Sequence, residues 1–81
     1  MTYSEVIIKR LRNLCDERKL SVNRLANMSG LTQSTLDNIM KGATRNPQLK
    51  TLHKIATGLN MTVSQLLDFP EMNETLFEEN E

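Results

Sequence analysis

The sequence predicts an all-α protein, folded as a compact five-helix bundle that contains one helix-turn-helix. Apolar residues recur at the three- and four-residue spacing of a helix face along most of the 81 residues. The sequence contains neither an alternating apolar run nor an Asn-Gly or Asp-Gly hairpin turn, so it predicts no strand. The length suffices for one domain. Its core must be mainly aliphatic, because the only aromatic residues are Tyr3, Phe69 and Phe77.

The first helix is expected to begin near Tyr3 and to end near Arg18. Thr2 and Glu5 stand at the spacing of a capping box, in which each side chain accepts a hydrogen bond from the other residue's backbone N–H. The apolar positions of this helix share one face, which is formed by Ile7, Ile8, Leu11, Leu14 and Cys15.

Two short helices, over residues 22–29 and 33–41, are predicted on either side of Gly30. Ser21 and Thr32 precede these helices, where a side-chain oxygen can accept from an unpaired backbone N–H. Gly30 suits the left-handed conformation that a sharp reversal between helices requires. This arrangement is the pattern of a helix-turn-helix.

The fourth helix is expected to start after Pro47, because proline disfavours helical geometry in the residue before it. Its apolar spacing continues to Leu59, and Asn60 is the expected left-handed stop. Gly58 lies inside this helix, where glycine costs up to about 1 kcal/mol relative to alanine. We therefore expect Gly58 to mark a close packing contact.

A short fifth helix completes the predicted bundle. Thr62 and Gln65 repeat the capping-box spacing at its start, and Pro70 is expected to end the regular structure. The chain accordingly divides into a predicted domain over residues 1–69 and an acidic C-terminal tail over residues 70–81.

The net charge of zero conceals an uneven distribution of charge. Residues 1–70 hold all ten lysines and arginines with five of the ten acids, a balance of +5, whereas residues 71–81 hold the other five acids, a balance of −5. A basic domain is compatible with nucleic acid as a partner. One cysteine, no apolar stretch of membrane-spanning length and no apolar core of a signal peptide together predict a cytoplasmic protein.

A larger set of residues at fixed spacings extends the helix-turn-helix pattern over most of the chain. It comprises Leu11, Leu20, Ser21, Leu25, Ala26, Gly30, Leu31, Thr32, Ser34, Thr35, Leu36, Ile39, Gly42, Asn46, Pro47, Leu49, Leu52, Ile55, Ala56, Leu59, Leu66 and Leu67. With this set the sequence resembles the phage repressor and Cro-type (XRE-like) helix-turn-helix family, from about residue 8 to residue 67. The resemblance implies a lambda-repressor-like domain that binds double-stranded DNA, in a short, stand-alone bacterial or prophage regulator.

The sequence departs from the family at three places. The family often buries an Arg–Glu pair where this chain has Cys15 and Met40, which are predicted to touch and to replace the ion pair by packing. The family often opens the second helix with a glutamine that reaches a phosphate, a contact that Val22 cannot make. Lys19 stands where a glycine is common, so some backbone strain is expected there.

The helix over residues 33–41 would be the recognition helix, inserted into the major groove. Base reading requires side chains that donate and accept hydrogen bonds in a fixed geometry. The predicted base-reading residues on its outward side are Gln33, Ser34, Asp37 and Asn38. Alternatively, these are ordinary solvated polar residues on a surface helix.

Phosphate contacts are expected from side chains around the recognition helix, and such contacts orient the protein without reading sequence. The predicted residues are Ser21, Asn23, Thr35, Lys41, Thr44, Arg45 and Asn46. Lys9, Arg10 and Arg12 are expected to serve solubility, with a flanking phosphate contact as the alternative for Arg10 and Arg12.

A homodimer is expected, because one recognition helix reads only a few base pairs. Its predicted seam comprises Val63, Leu66, Leu67 and Phe69, with Met72, Leu76 and Phe77 as further candidates in the tail. Alternatively, Phe69 and Phe77 fold onto their own domain. Three roles stay open for the acidic tail: it is solvated and inert, it competes with DNA for the basic surface, or it binds a protein.

Nothing in the sequence predicts an enzyme, a metal site or a cofactor. An enzyme needs a nucleophile with a base, a metal, or paired acids in a pocket. The sole cysteine, Cys15, and the sole histidine, His53, fall on different predicted helices without a supporting motif. Cys15 is therefore interpreted as a core residue.

The leading hypothesis is a sequence-specific regulator of transcription that binds double-stranded DNA and represses, since blocking a promoter requires only occupancy. The alternative is a protein-interaction module, such as a toxin-neutralising partner that shares the fold. The low net charge and Val22 favour the alternative, whereas the polar face of the recognition helix favours DNA. Salt dependence discriminates between them, because the affinity of a DNA-binding protein falls steeply with ionic strength.

Overall fold

The computed structural model describes residues 2–43 and 46–74, and this part of the chain is helical without a strand. The helices are α1 (Tyr3–Arg18), α2 (Val22–Ser29), α3 (Gln33–Met40), α4 (Leu49–Gly58), α5 (Val63–Leu67) and α6 (Pro70–Glu74). The predicted all-α bundle is confirmed, with one short helix more than expected. Among the described residues, no helix is long and apolar enough to cross a membrane.

The predicted caps set the starts of the helices. The hydroxyls of Thr2, Ser21 and Thr32 each accept a hydrogen bond from the backbone N–H three residues later, at 3.1, 3.0 and 3.2 Å. At α5 the capping box is complete: the hydroxyl of Thr62 accepts from the N–H of Gln65, and the Gln65 side chain accepts from the N–H of Thr62. These starts therefore follow from side-chain chemistry that is local in the sequence.

Left-handed residues follow four of the helices, as expected. Gly30 and Gly42 have φ 68° and 78°, and two non-glycine residues of the described part of the chain, Lys19 and Asn60, have φ 56° and 59°. Asparagine tolerates this conformation better than most side chains, whereas lysine does not. The strain expected at Lys19 is thus present at the end of α1.

A single aliphatic core joins α1 to α5. Its members are Ile7, Leu11, Leu14, Cys15, Leu25, Ala26, Leu36, Ile39, Met40, Leu52, Ile55, Ala56, Leu59 and Leu66. Cys15 and Met40 share this core, although direct contact between their side chains stays a prediction. Val22 is half-buried and packs against the same core, so this departure from the family exchanges a polar contact for packing.

The helices α2 and α4 pack closely together at Gly58. A Cβ atom on Gly58 would lie 2.6 Å from the Ser29 hydroxyl oxygen and 2.9 Å from the backbone C and O of Met28. The close contact predicted from this glycine is confirmed. The Ser29 hydroxyl is buried at this contact and makes no hydrogen bond within the described part of the chain.

Two arginines of α1 bind carbonyl groups at the ends of other helices. The Nε and Nη2 atoms of Arg10 donate to the carbonyls of Leu66 and Gln65, both at 3.0 Å, and its guanidinium lies 5.2 Å from the ring centroid of Phe69. The Nη1 atom of Arg18 donates to the carbonyl of Leu59, the residue that follows α4. The expectation that Arg10 serves solubility was wrong, because two of its nitrogen atoms donate to carbonyls at the C-terminus of α5, and the alternative of a flanking phosphate contact stays a prediction.

Pro70 begins a helix instead of ending the regular structure. Proline is well suited to the first position of a helix, where its missing N–H would have no partner. Glu71 of α6 pairs with Lys9 at 2.9 Å, and this hydrogen bond lowers the pKa of the Glu71 carboxyl. Met72 packs against the core. The end of the domain at residue 69 stays a prediction, and residues 75–81 of the acidic tail, with Leu76 and Phe77, lie outside the described residues.

The predicted dimer seam is contradicted at two of its four main residues. Leu66 and Phe69 expose only 1% and 6% of their surface. Leu66 lies in the core, and Phe69 is covered by Arg10. Both side chains therefore pack onto their own domain, which leaves only Val63 and Leu67 half-exposed.

Replacing Arg10 by methionine is expected to lower the free energy of unfolding by about 1–3 kcal/mol. Methionine retains a flexible apolar stem, but it leaves the carbonyls of Gln65 and Leu66 without charged donors and removes the cation–π contact. Urea unfolding followed by circular dichroism measures the change. Arg12→Met, at an exposed position of the same helix, is the matched control and should change stability by less than about 0.5 kcal/mol. Equal effects of the two variants would contradict the claim that Arg10 stabilises the C-terminus of α5.

Candidate nucleic-acid interface

The two faces of α3 differ sharply in burial. Leu36 and Ile39 expose 0% and 3% of their surface and anchor the helix in the core. The side chains of Gln33, Ser34 and Asn38 are exposed, with Ser34 and Asn38 on the face opposite this anchor and Gln33 at the first position of the helix. Asp37, the fourth predicted base-reading residue, is only half-buried and lies between the two faces. An apolar anchor thus presents two carboxamides and a hydroxyl to the surroundings.

The turn before α3 sets its direction relative to α2. The N–H of Gly30 donates to the carbonyl of Asn27 at 3.3 Å, and the N–H of Leu31 donates to that of Ala26 at 3.0 Å. These bonds satisfy carbonyls that the end of α2 would leave unpaired. Leu31 then packs against the core. The orientation of α3 is therefore held by backbone hydrogen bonds as well as by its buried face.

A polar groove of about 350 Å³ opens between α3 and the start of α4. It is lined by Thr35, Asn38, Ile39, Asn46, Gln48 and Thr51. One predicted base-reading residue and two predicted phosphate-contacting residues meet here, although they are distant in sequence. Every polar group lining the groove is uncharged, so it can donate to or accept from nucleic acid without repelling phosphate.

Sequence reasoning missed Gln48 and Thr51 of this groove. Gln48 is the residue before α4, and its side chain makes no capping hydrogen bond there. Its exposed carboxamide is consequently available to a ligand. The signal in the sequence was a polar side chain directly after Pro47, at the start of a predicted helix, where backbone N–H groups also lack partners.

Of the predicted phosphate-contacting residues, several lie at the start of α2, on α3 or at its end. Ser21 is the cap of α2, so its oxygen is engaged, but its hydroxyl hydrogen remains to be donated. Asn23 and Lys41 are exposed, at the first turn of α2 and at the end of α3. Thr35 is exposed, with its hydroxyl 2.8 Å from that of Thr32. Thr44 and Arg45 lie outside the described residues.

The cysteine and the histidine are poorly placed for catalysis or metal binding. Burial, with a smaller effect of the Asp16 carboxylate, raises the pKa of the Cys15 thiol, which disfavours the reactive thiolate. His53 is exposed and lines a shallow pocket with Lys50 and Lys54 of the same helix. Within the described part of the chain, no three residues of the His, Cys, Asp and Glu types converge as a metal site would require.

Comparison with known proteins found a matching family model, a sequence relative and a solved structure of similar fold. A family model described as a Cro/C1-type HTH DNA-binding domain matches residues 10–71. RghRB of Bacillus subtilis (strain 168), an uncharacterized HTH-type transcriptional regulator, is 36% identical over 59 residues, which cover 73% of this chain and 42% of RghRB. The chain therefore spans less than half the length of that relative. The crystal structure of the prophage Lp1 protein 11 has a TM-score of 0.81 at 32% identity, covering 93% of this chain and 99% of the other.

Proposed function

The chain belongs to the family of Cro/C1-type helix-turn-helix DNA-binding domains, and we propose that it is a transcriptional repressor that inserts α3 into the major groove of double-stranded DNA. The observation that carries the proposal is the division of α3 between a buried apolar face and an exposed polar one. The major groove admits an α-helix and displays a distinct pattern of donors and acceptors for each base pair.

In this proposal the outward side chains of α3 read base edges. The carboxamides of Gln33 and Asn38 pair with adenine, to which glutamine and asparagine can donate and accept at once. Ser34 is permissive, and Asp37 accepts from a cytosine amino group. Asp37 sets specificity rather than affinity, because its charge repels phosphate.

Residues around α3 hold the phosphates on both sides of the DNA major groove. Ser21 and Asn23 contact one strand at the start of α2, where the positive end of the helix dipole also favours an anion. Thr35, Lys41 and Asn46 contact the backbone near the polar groove, and we extend the predicted set by Gln48. These contacts orient α3 and supply most of the salt-dependent affinity.

Repression follows from occupancy of a promoter in the bacterial cytoplasm. A homodimer would place two copies of α3 on half-sites separated by about 34–36 Å, one turn of DNA. Two half-sites raise both affinity and specificity over a single recognition helix.

Selection of bound sequences from a random duplex pool tests the proposal most broadly. We expect a two-fold symmetric motif, whose affinity falls steeply as salt rises from roughly 50 to 200 mM. A pool that shows no enrichment, together with an affinity insensitive to salt, would contradict DNA reading. That result would favour the protein-interaction module instead.

A further inference from the structure

A shallow pocket of about 250 Å³ lies between the end of α2 and one face of α4. It is lined by Met28, Ser29, Lys50, His53, Lys54 and Thr57. None of these residues belongs to α3 or to the proposed contacts with DNA. The lining of the pocket is thus separate from the proposed DNA interface.

Two lysines make the pocket positive, and a histidine lies beside them. Lys50, His53 and Lys54 are three and four residues apart, so they share one face of α4, and all three are exposed. The sequences of α2 and α4 contain no aspartate or glutamate. Within the described residues neither lysine pairs with a carboxylate, since the ion pair found there joins Lys9 to Glu71. The pocket therefore attracts anions.

On the α2 side, the pocket contains a polar group that the fold leaves without a partner. Ser29 exposes only 7% of its surface, and its hydroxyl makes no hydrogen bond within the described part of the chain. A buried hydroxyl without a partner costs free energy, and such groups are rare in folded proteins. Because no hydrogen bond holds it against Gly58, this hydroxyl is available to donate to an oxygen atom of a ligand.

The remaining lining residues define the class of ligand. Met28 exposes 41% of its surface, and its thioether offers an apolar wall that suits an aliphatic or aromatic group. Thr57 adds a second hydroxyl. Hydroxyl donors beside two lysines match a phosphate group, which carries roughly two negative charges and three acceptor oxygens at neutral pH. A carboxylate, with a single charge, matches them less well.

We infer that this pocket binds a small phosphate monoester. The phosphate group lies between Lys50 and Lys54 and accepts a hydrogen bond from Ser29, and the organic part packs against Met28. Binding joins α2 to α4 and stabilises the folded domain, because the unfolded chain offers the ligand no comparable site. The inference does not rest on the proposed function, since no proposed DNA contact takes part in it.

Titration of the isotope-labelled full chain with phenyl phosphate, followed by nuclear magnetic resonance, tests the site. The backbone amide signals of Ser29, His53 and Thr57 are expected to shift saturably, with a dissociation constant of about 1 mM or lower. Phenol, which lacks the phosphate group, should leave these signals in place. Shifts that do not saturate, or that spread over the lysines and arginines of the whole surface, would overturn the inference.

Two variants separate a built site from anions that gather on surface lysines. Lys54→Gln removes one charge and should weaken binding by about 2- to 5-fold, as for exposed ion pairs. Arg12→Gln removes one charge from an exposed position of α1 and should leave binding unchanged. Ser29→Ala removes no charge, yet it should weaken binding by about 3- to 10-fold, because it deletes a hydrogen bond to the ligand. Equal effects of the two charge variants, or no effect of Ser29→Ala, would overturn the inference.

A phosphate of the DNA backbone offers the same chemistry, and an unrelated duplex distinguishes the two sources. If a free phosphate ester is the ligand, excess duplex should leave the shifts of Ser29 and His53 by phenyl phosphate in place. Competition between the duplex and phenyl phosphate at these residues would overturn the inference and assign the pocket to the DNA backbone. A lack of phenyl phosphate binding would also overturn it, and would leave the proposed function to its own test by DNA selection.

Discussion

Gln33→Ala is expected to weaken binding to the selected operator by roughly 10- to 100-fold for each half-site. A bidentate contact between a carboxamide and adenine contributes about 1–3 kcal/mol of discrimination, and every tenfold change in affinity corresponds to about 1.4 kcal/mol. The side chain is exposed on α3 and absent from the core, so its loss should leave stability unchanged. Fluorescence anisotropy with the operator and with an unrelated duplex measures the change.

The comparison of the two duplexes separates the reading of bases from sequence-independent affinity for DNA. Binding to the unrelated duplex, which depends on phosphate contacts, should change little. Asn13→Ala is the control, because Asn13 is an exposed carboxamide on α1 and belongs to none of the proposed DNA contacts. Parallel losses on both duplexes would show that Gln33 contacts the backbone instead of a base.

Gly58→Ala is expected to destabilise the domain by roughly 2 kcal/mol, although alanine is the better helix former. The added methyl group would lie 2.6 Å from the Ser29 oxygen and 2.9 Å from backbone atoms of Met28. Overpacking of this kind costs about 1–3 kcal/mol, because the backbone of α2 has to move away from α4. The melting temperature should fall by about 4–8 °C for each kcal/mol lost in a domain of this size.

Three further variants assign the effect of Gly58→Ala to contact with the backbone of α2. Thr57→Ala is the control: it changes helix propensity at the neighbouring exposed position and should be neutral or stabilising. Ser29→Ala removes a buried hydroxyl that has no hydrogen bond and should not destabilise. The combination of Ser29→Ala with Gly58→Ala should remain destabilised, since the contacts with Met28 persist. Full recovery in that double variant would contradict this explanation.

The parts of the fold that sequence reasoning predicted are those whose causes are local. Each cap at Thr2, Ser21, Thr32 and Thr62 involves residues three positions apart, so the sequence alone contains both partners. The close contact at Gly58 could also be predicted, because glycine inside a helix is unfavourable unless a neighbouring element packs too closely for a side chain. Pro70 was misinterpreted, since a proline that stops one element is equally suited to start the next.

The misses have long-range causes. Arg10 looked like a solvated charge because its acceptors lie 55 and 56 residues away in the sequence. The burial of Phe69 was missed for a similar reason, because Arg10, which covers it, is distant in the sequence. Gln48 was overlooked because its importance depends on the distance between α3 and α4. Helical periodicity correctly separates Ser34 and Asn38 from the buried Leu36 and Ile39. Gln33 lies three residues before Leu36, so periodicity does not separate these two, and the exposure of Gln33 goes with its place as the first residue of α3.

The central claim, that α3 lies in the major groove, is tested most directly by nuclear magnetic resonance of the labelled protein bound to its selected duplex. We expect intermolecular Overhauser effects from the side chains of Gln33, Ser34 and Asn38 to major-groove protons, such as thymine methyl groups. Effects confined to minor-groove protons, or contacts centred on α5 and α6 with α3 unchanged, would contradict the claim.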